Sequence, residues 1–405
     1  TEIYTLSLHD ALPIWIEREI ERYLMDVSGE RPACILTGGR QTGKTSLLLR
    51  MFPDIRYVSL DVPSLAGEAE ESGERFLERL GPPLIIDEVQ YAPGIFRYLK
   101  ADIDANRNRR RRFLLTGSQK FSLMQGVTES LAGRVSIVEL YTLSARELER
   151  WSGTKADPAT LLRWMFTGGY PELHARSLDP QRYYGDLVAT YLERDVRQAL
   201  QVKNLRDYDR FLRLAAVRTG QLLSMNSFAS DLGISPNTVK SWLSVLEASG
   251  IIWLLEPYYG NPGKRIVKSP KLYFTDTGLA AYLAGFRSEE DLAQSPLLGA
   301  FFESHVLGQM VRKYVNRCRR PAIYFFRDHH GHEVDFIVPI GGRLRLYECK
   351  WSEDPSAVVP SFAVIEKAVG SHNILSRSVI TPGRNPRKKG SVLIEDSVEI
   401  PSLEV

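Results

Sequence analysis

Cysteine is scarce in this chain: Cys34, Cys318 and Cys349 are the three among 405 residues. They are odd in number and far apart, which excludes a disulfide framework and leaves no zinc-ligand spacing. A reducing cytoplasm is the compartment that fits. Long apolar runs are missing too. Nothing approaches the ~20 residues of a spanning helix, so a membrane-spanning reading is excluded. Excess charge is also missing, since the net value is +3. The whole-molecule field therefore argues neither for nor against nucleic acid, and any basic surface has to be local. The densest positive block, NRNRRRR at Asn106–Arg112, reads as a solvated loop or helix end, with a patch facing nucleic acid as the sharper alternative. Internal repeats and low-complexity tracts are absent.

What is present is the composition of a soluble globular protein, in a chain long enough for two or three domains. Residues 1–14, TEIYTLSLHDALPI, lack the basic leader and apolar block of a signal peptide. They read as translated sequencing-adaptor sequence, with the natural start lost nearby, and a native disordered leader is the alternative. From Trp15 to Met25 apolar residues recur at helical spacing. Short apolar runs follow at Ala33–Thr37, Ile55–Leu60, Leu84–Ile86, Phe113–Thr116 and Ile137–Leu140. Such runs, alternating with helix-like segments, predict a parallel sheet covered on both faces over residues 15–145. A helical region is expected over 146–218, helices followed by a β-wing over 219–285, and a small α/β domain over 286–405. Within the last, Thr381–Gly390 reads as a loop.

The first of those runs leads directly into GGRQTGKT, Gly38–Thr45, and then a helix-like SLLLRM. This is the GxxxxGKS/T loop in the context it needs. Glycines let successive N–H groups curl toward phosphate, and the helix N-terminus adds its positive end. Gly38, Gly39, Arg40, Gln41, Thr42, Gly43, Lys44, Thr45 and Ser46 are the expected ATP-binding residues. Lys44 is expected to reach the β- and γ-phosphates and Thr45 to ligate Mg²⁺. LIIDE, Leu84–Glu88, supplies the second half: Asp87 for magnesium and Glu88 to orient or deprotonate the attacking water. LLTGSQ ends a further strand. It is expected to put Ser118 or Gln119 between the acidic strand and the loop, as sensors of the γ-phosphate or as caps. In LAGRV, Arg134 is a candidate γ-phosphate arginine, in cis or from a neighbour, or else a surface ion pair.

With GGRQTGKT, LIIDEVQ, LLTGSQ and SLAGRV, followed by GGYPE and YLERDV, the chain resembles a family of AAA-type ATPases of bacteria and archaea, over nearly everything after residue 14. The resemblance implies an ASCE-type sheet, in which the acidic strand is not adjacent to the phosphate-loop strand. It names no substrate. Self-association is possible on this resemblance, though no interface is legible.

Ser224–Ile252 has the spacing of a winged helix-turn-helix. Ala229 and Gly233 form the packing point and turn, and Val239 and Trp242 face the core. Ser235, Pro236, Asn237, Thr238, Lys240 and Ser241 then lie at the start or outer face of a recognition helix. Lys264, Arg265 and Lys268 fall near the wing turn. DNA is the partner this would contact, with a lid or protein contact as the alternative. At the C-terminus, Glu303 is on a helix, Asp335 on the strand HEVDFIV, and Glu348 and Lys350 on one face of LYECK. Converging carboxylates make a hard-oxygen Mg²⁺ site, and a neighbouring lysine can stabilise charge at phosphorus. This arrangement resembles the PD-(D/E)xK phosphodiesterases, with Val334 where a proline is expected. The resemblance implies Asp335 and Glu348 as metal ligands, Lys350 as catalytic and Glu303 as accessory. Ion pairing in a degenerate domain is the alternative. His329, His330 and His332 invite a zinc reading but are better taken as hairpin residues. Two functions follow: an ATPase driving a DNA-binding, nuclease-like module, or an ATP-dependent switch whose C-terminal domain performs no chemistry.

Overall fold

The computed structural model describes residues 15–118, 130–192, 205–258, 268–352, 354–355, 359–383 and 385–404. The chain divides into two compact units. One holds everything up to Leu143 together with Tyr170–Leu178 and Val315–Cys318; the other holds the rest.

The first unit is built on strands β1 (Ala33–Thr37), β2 (Arg56–Ser59), β3 (Leu84–Asp87), β4 (Phe113–Gly117) and β5 (Val135–Glu139). They form one parallel sheet in the order β2-β3-β4-β1-β5. Side chains alternate between its faces. Ala33, Ile35, Leu84, Ile86, Phe113 and Leu115 enter one apolar cluster, with Phe76, Phe96 and Leu99 from covering helices. Cys34, Leu36, Ile85 and Leu114 enter the other, with Ile20 and Leu24 from helix α1 (Glu21–Ser28) and Leu47 and Leu48 from α2 (Lys44–Met51). Burial on both faces is why the central strands β1, β3 and β4 are apolar along their length, whereas the marginal β2 and β5 are partly exposed. Each such side chain is worth ~1.5–3 kcal/mol when fully buried. As the resemblance implied, β4 separates the acidic strand β3 from β1.

The loop after β1 turns on glycine. Gly38 has φ +148°, and a Cβ there would lie 2.1 Å from the carbonyl oxygen of Leu140 at the end of β5. Gly43, which starts α2, has φ +92°. Only glycine adopts these angles without strain while letting backbone approach so closely.

Helix α3 (Ile95–Ala105) is among those covering the first sheet; in the second unit, helices within residues 145–217 come first. Helix α4 (Met225–Leu232) begins at Ser224, whose hydroxyl accepts from the Ser227 amide, and stops at Gly233, φ +70°. Helix α5 (Pro236–Ala248) is capped by Ser235, which accepts from the Thr238 amide at 3.1 Å. Val239 and Trp242 are buried, and Trp242 packs edge-on against Tyr208 at 5.3 Å. Behind the pair lies an antiparallel sheet β6-β8-β7, made of β6 (Gln221–Leu222), β7 (Ile252–Leu255) and β8 (Lys271–Phe274). Of the expected wing cations, Lys264 and Arg265 lie outside the described residues, and Lys268 is exposed.

After α6 (Leu298–Val315), a six-stranded sheet is formed by β9 (Tyr324–Arg327), β10 (Glu333–Ile340), β11 (Arg343–Cys349), β12 (Ile374–Thr381), β13 (Arg387–Lys389) and β14 (Val392–Asp396), in the order β13-β14-β12-β11-β10-β9. β9, β10 and β11 are antiparallel neighbours, whereas β11, β12 and β14 run parallel. Helix α7 (Pro360–Val369) makes the crossover from β11 to β12 and buries Phe362 and Ile365 over Val334, Ile337 and Leu346. The loop expected over Thr381–Gly390 is corrected here. Its basic residues Arg387–Lys389 pair antiparallel with β14 as an edge strand, where one side of the strand faces solvent and charge is tolerated. At the other margin, Pro257 bridges Phe325 of β9. No helix among the described residues is long and apolar enough to cross a membrane.

Gly38→Ala is expected to cost about 2 kcal/mol or more, from the unfavourable φ and the contact with Leu140. A thermal melt of the variant indistinguishable from wild type is the result that contradicts this.

Candidate active site

The carboxyl end of the parallel sheet gathers the expected residues of the phosphate loop and the acidic strand. Lys44 opens α2 and is 5% exposed. Its Nζ donates to the carbonyls of Gly38 (3.1 Å) and Gly39 (2.8 Å). Burial pulls its pKa down to about 8, against the opposing pull of Glu88 and Asp87 and with a small contribution from Arg40. Thr45, one residue on, donates its hydroxyl to both carboxylate oxygens of Asp87, at 3.0 Å each. Asp87 ends β3 and is 5% exposed. It also accepts from Tyr57 Oη at 2.9 Å and from Thr116 Oγ1. A hydroxyl and a carboxylate face to face, beside first-turn amides of a helix, are the donor set a hard cation and a phosphate take. The residues fit Mg²⁺ and a triphosphate.

Glu88 follows with left-handed backbone, φ +51°, a conformation that costs a non-glycine residue about 1–3 kcal/mol and collects at functional sites. Its Oε2 accepts from the Ser118 hydroxyl (2.8 Å), the Ser118 amide (3.3 Å) and Gln90 Nε2. Ser118 directly follows β4 and is buried, between the acidic strand and the loop. Its neighbour Gln119 lies outside the described residues. Arg18 fixes the loop from behind, donating to Thr42 O (2.9 Å) and Tyr141 O (2.7 Å). Beside it opens a cleft of ≈ 290 Å³, lined by Trp15, Ile16, Gln41, Gly43, Ser46 and the segment Pro171–Arg176 among others.

The second unit also assembles its expected residues. The register Phe336↔Tyr347 sets Asp335 opposite Glu348. Asp335 Oδ2 accepts from the Cys349 amide at 2.7 Å, and Lys350 Nζ donates to Glu348 Oε1 at 2.8 Å. Oxygens of Glu303, Glu333 and Asp335 lie within 4.8 Å of one another. Burial, then Glu303 and Glu348, push the Asp335 carboxyl well above the usual range; Glu348 is raised chiefly by burial. The cluster has a resident cation, Lys271 of β8, 2% exposed, with Nζ 2.8 Å from Glu303 and 2.5 Å from Glu333. Burial alone would lower its pKa, but the neighbouring Tyr273, Glu303, Asp335 and Glu333 hold it well above the ordinary lysine value.

The model of an AAA domain matches residues 30–149. Models of two domains of unknown function match residues 159–290 (DUF8612) and 298–402 (DUF4143). An uncharacterized protein of Mycobacterium tuberculosis and one of Mycobacterium bovis are each 32% identical over 336 residues, covering 80% of this chain and 71% of theirs. The chain belongs to their family. It is an AAA-domain protein, and the phosphate loop and acidic strand lie inside the matched domain. Among solved structures, a Walker-type ATPase of Pyrococcus abyssi aligns with 16% identity and a TM-score of 0.45, over 68% of this chain and 99% of that one.

Within the AAA domain Arg134 is not brought to the loop. It precedes β5, whose Val135 is in register with Ala33 at the start of β1. That is the amino end of the sheet, four residues or about 13 Å along the strand from Thr37. There its guanidinium grips both Asp104 oxygens, at 2.8 and 3.1 Å. A γ-phosphate role in cis is thus corrected to the ion pair that was its alternative. The basic block is partly structural as well. Arg112 forms a two-point pair with Asp102 at 2.8 Å, and Arg111 donates to Met25 O and lies over Phe52. His330 and His332 are exposed and turned to Asp328, with His332 Nδ1 2.9 Å from its carboxylate.

Several residues of these sites were not anticipated from sequence. Tyr57 and Thr116 flank Asp87 because their strands flank β3; given the strand order, the ends of RYVSL and LLTGS are where to look. Gln90 lies in LIIDEVQ but is given no role by it, and Arg18, Lys271 and Glu333 carry no motif.

The pH dependence follows from Lys44. Below about pH 8 the folded chain holds a buried ammonium whose charge opposes folding. The unfolded lysine keeps its proton to about 10.4, so that cost is relieved between the two values. An anionic ligand needs the charged form. ATP affinity is therefore expected to be flat between about pH 6 and 7.5 and to weaken as pH rises through 8, measured by titration with a fluorescent ATP analogue. Affinity constant to pH 9.5 contradicts it.

Proposed function

We propose that the protein is a magnesium-dependent ATPase. The observation that carries the reading is the Thr45 hydroxyl set against Asp87 across two strand positions, with Glu88 next in sequence and Lys44 buried beside them. Lys44 meets the β- and γ-phosphate oxygens, and the first-turn amides of α2 meet the phosphate chain. Thr45 and Asp87 would hold the metal, which when bound would neutralise charge developing on the phosphate oxygens. Glu88 accepts the proton of the attacking water, and Ser118 and Gln90 orient its carboxylate until then.

For the second unit the reading is a DNA-contacting module whose engagement depends on nucleotide. Support comes from the two capped helices, the Gly233 turn and the antiparallel strands, which have the order of a winged helix. Ser235, Pro236, Asn237, Lys240 and Ser241 of its second helix are exposed. The succession β9-β10-β11-α7-β12, with Asp335, Glu348 and Lys350 side by side, supports the likeness to the restriction-endonuclease fold. Fold likeness alone implies no cleavage.

Lys44→Ala is expected to abolish ATP binding while leaving the circular dichroism spectrum unchanged. Glu88→Gln is expected to retain binding and lose about 10²-fold or more in turnover, read by phosphate release; wild-type turnover removes Glu88 from its role. Lys240→Glu is expected to weaken binding to duplex DNA and flatten its salt dependence by about one unit of log–log slope. Unaltered binding transfers the reading to a protein contact.

A further inference from the structure

The carboxylate cluster of the second unit has the composition of a metal site and the geometry of something else. Glu303 comes from α6, Glu333 and Asp335 from β10, and Glu348 from β11. Oxygens of the first three lie within 4.8 Å of one another, close enough to share one ion. Into that group β8 sends two side chains from one face, Lys271 and Tyr273. The Lys271 ammonium stands 2.8 Å from Glu303 Oε1 and 2.5 Å from Glu333 Oε1, and Tyr273 Oη donates to the same oxygen of Glu303. A divalent ion binds carboxylate oxygen at about 2.0–2.6 Å. Lys271 therefore already occupies the volume from which such an ion would reach these oxygens.

The charge count agrees. Arg327 pairs with the other oxygen of Glu333 at 2.9 Å, and Lys350 with Glu348 at 2.8 Å. Counting Lys271, three cations face four carboxylates, and Asp335 takes the Cys349 amide as well. A divalent ion added here would sit against a buried ammonium that has no route to solvent, being 2% exposed. Removing the ammonium alone would strand the acids, which is the costly direction for any buried ion pair.

We propose that Lys271 is the permanent cation of this cluster, standing where the phosphodiesterase resemblance calls for a divalent metal. The C-terminal domain accordingly takes no metal at Glu303, Glu333, Asp335 and Glu348, and it performs no metal-dependent phosphodiester cleavage. Its acids instead clamp β8 to the six-stranded sheet. This goes beyond the ATPase reading and does not rest on it.

The test is a titration of the 405-residue chain with Mn²⁺ alone, without nucleotide, by calorimetry and by electron paramagnetic resonance of free Mn²⁺. Wild type and Asp335→Asn are expected to titrate identically, because any weak site at the phosphate loop is common to both. Lys271→Met is expected to gain one site at least tenfold tighter than any in wild type, lost again in the Lys271→Met, Asp335→Asn double variant. A wild-type Mn²⁺ site that disappears in Asp335→Asn overturns the proposal, as does a folded Lys271→Met that gains no site. Should Lys271→Met not fold, the wild-type against Asp335→Asn comparison still decides. It is read together with nicking of supercoiled DNA in Mn²⁺, expected to be equal and at background in both.

Discussion

Everything in the first unit depends on a hydroxyl and a carboxylate from non-adjacent strands meeting at one end of a parallel sheet. Thr45 is delivered by the helix after β1 and Asp87 by the end of β3, with β4 between them. That meeting requires parallel strands in register, so that their carboxyl ends finish together. It also requires helices on both faces to keep the strands apolar throughout. Strand β4 is a participant rather than a spacer. It supplies Thr116 to Asp87 and Ser118 to Glu88, so both acids of the LIIDE segment are held from the strand next door.

Two buried lysines show how the same side chain is made responsive in one place and static in another. Lys44 donates to two carbonyls and has its pKa pulled down by burial. Lys271, just as buried, touches two carboxylates and is pushed up. The difference is the number of fixed negative charges in contact. A lysine short of anions gains when an anionic ligand arrives. One already surrounded by acids gains nothing from an anion and bars a metal.

The sequence disclosed most about whatever rests on local geometry. Continuous apolar runs located the central strands β1, β3 and β4, because two-sided burial leaves no polar alternation there; the marginal β2 and β5 are shorter on apolar residues and partly exposed. Gly38 and Gly43 marked the loop, because its backbone excludes other residues. Gly233 marked the turn between α4 and α5, because a helix stop in left-handed backbone suits glycine. What stayed hidden depended on partners distant in sequence. Arg134 read as a phosphate arginine because a motif does not say at which end of a strand it falls; the register with Ala33 does. Arg387–Lys389 read as a loop because basic residues with nearby Pro and Gly look alike in a loop and on a sheet margin. Lys271 sits in an ordinary strand, and its meaning comes from acids 32 or more residues away. Glu303, Asp335, Glu348 and Lys350 were legible as a set, but their occupant was not.

The two margins of the six-stranded sheet carry one more implication. β13 presents Arg387, Lys388 and Lys389 at the rim, with Asp354 tethering the first and last. On the far side, β9 is already engaged by the stretch around Pro257, through hydrogen bonds from Tyr258 to Phe325 and from Phe325 to Glu256. One rim repels an incoming strand by its charge, and the other is already engaged at Phe325. Adding a strand from a second molecule to this sheet is therefore disfavoured at both of its margins.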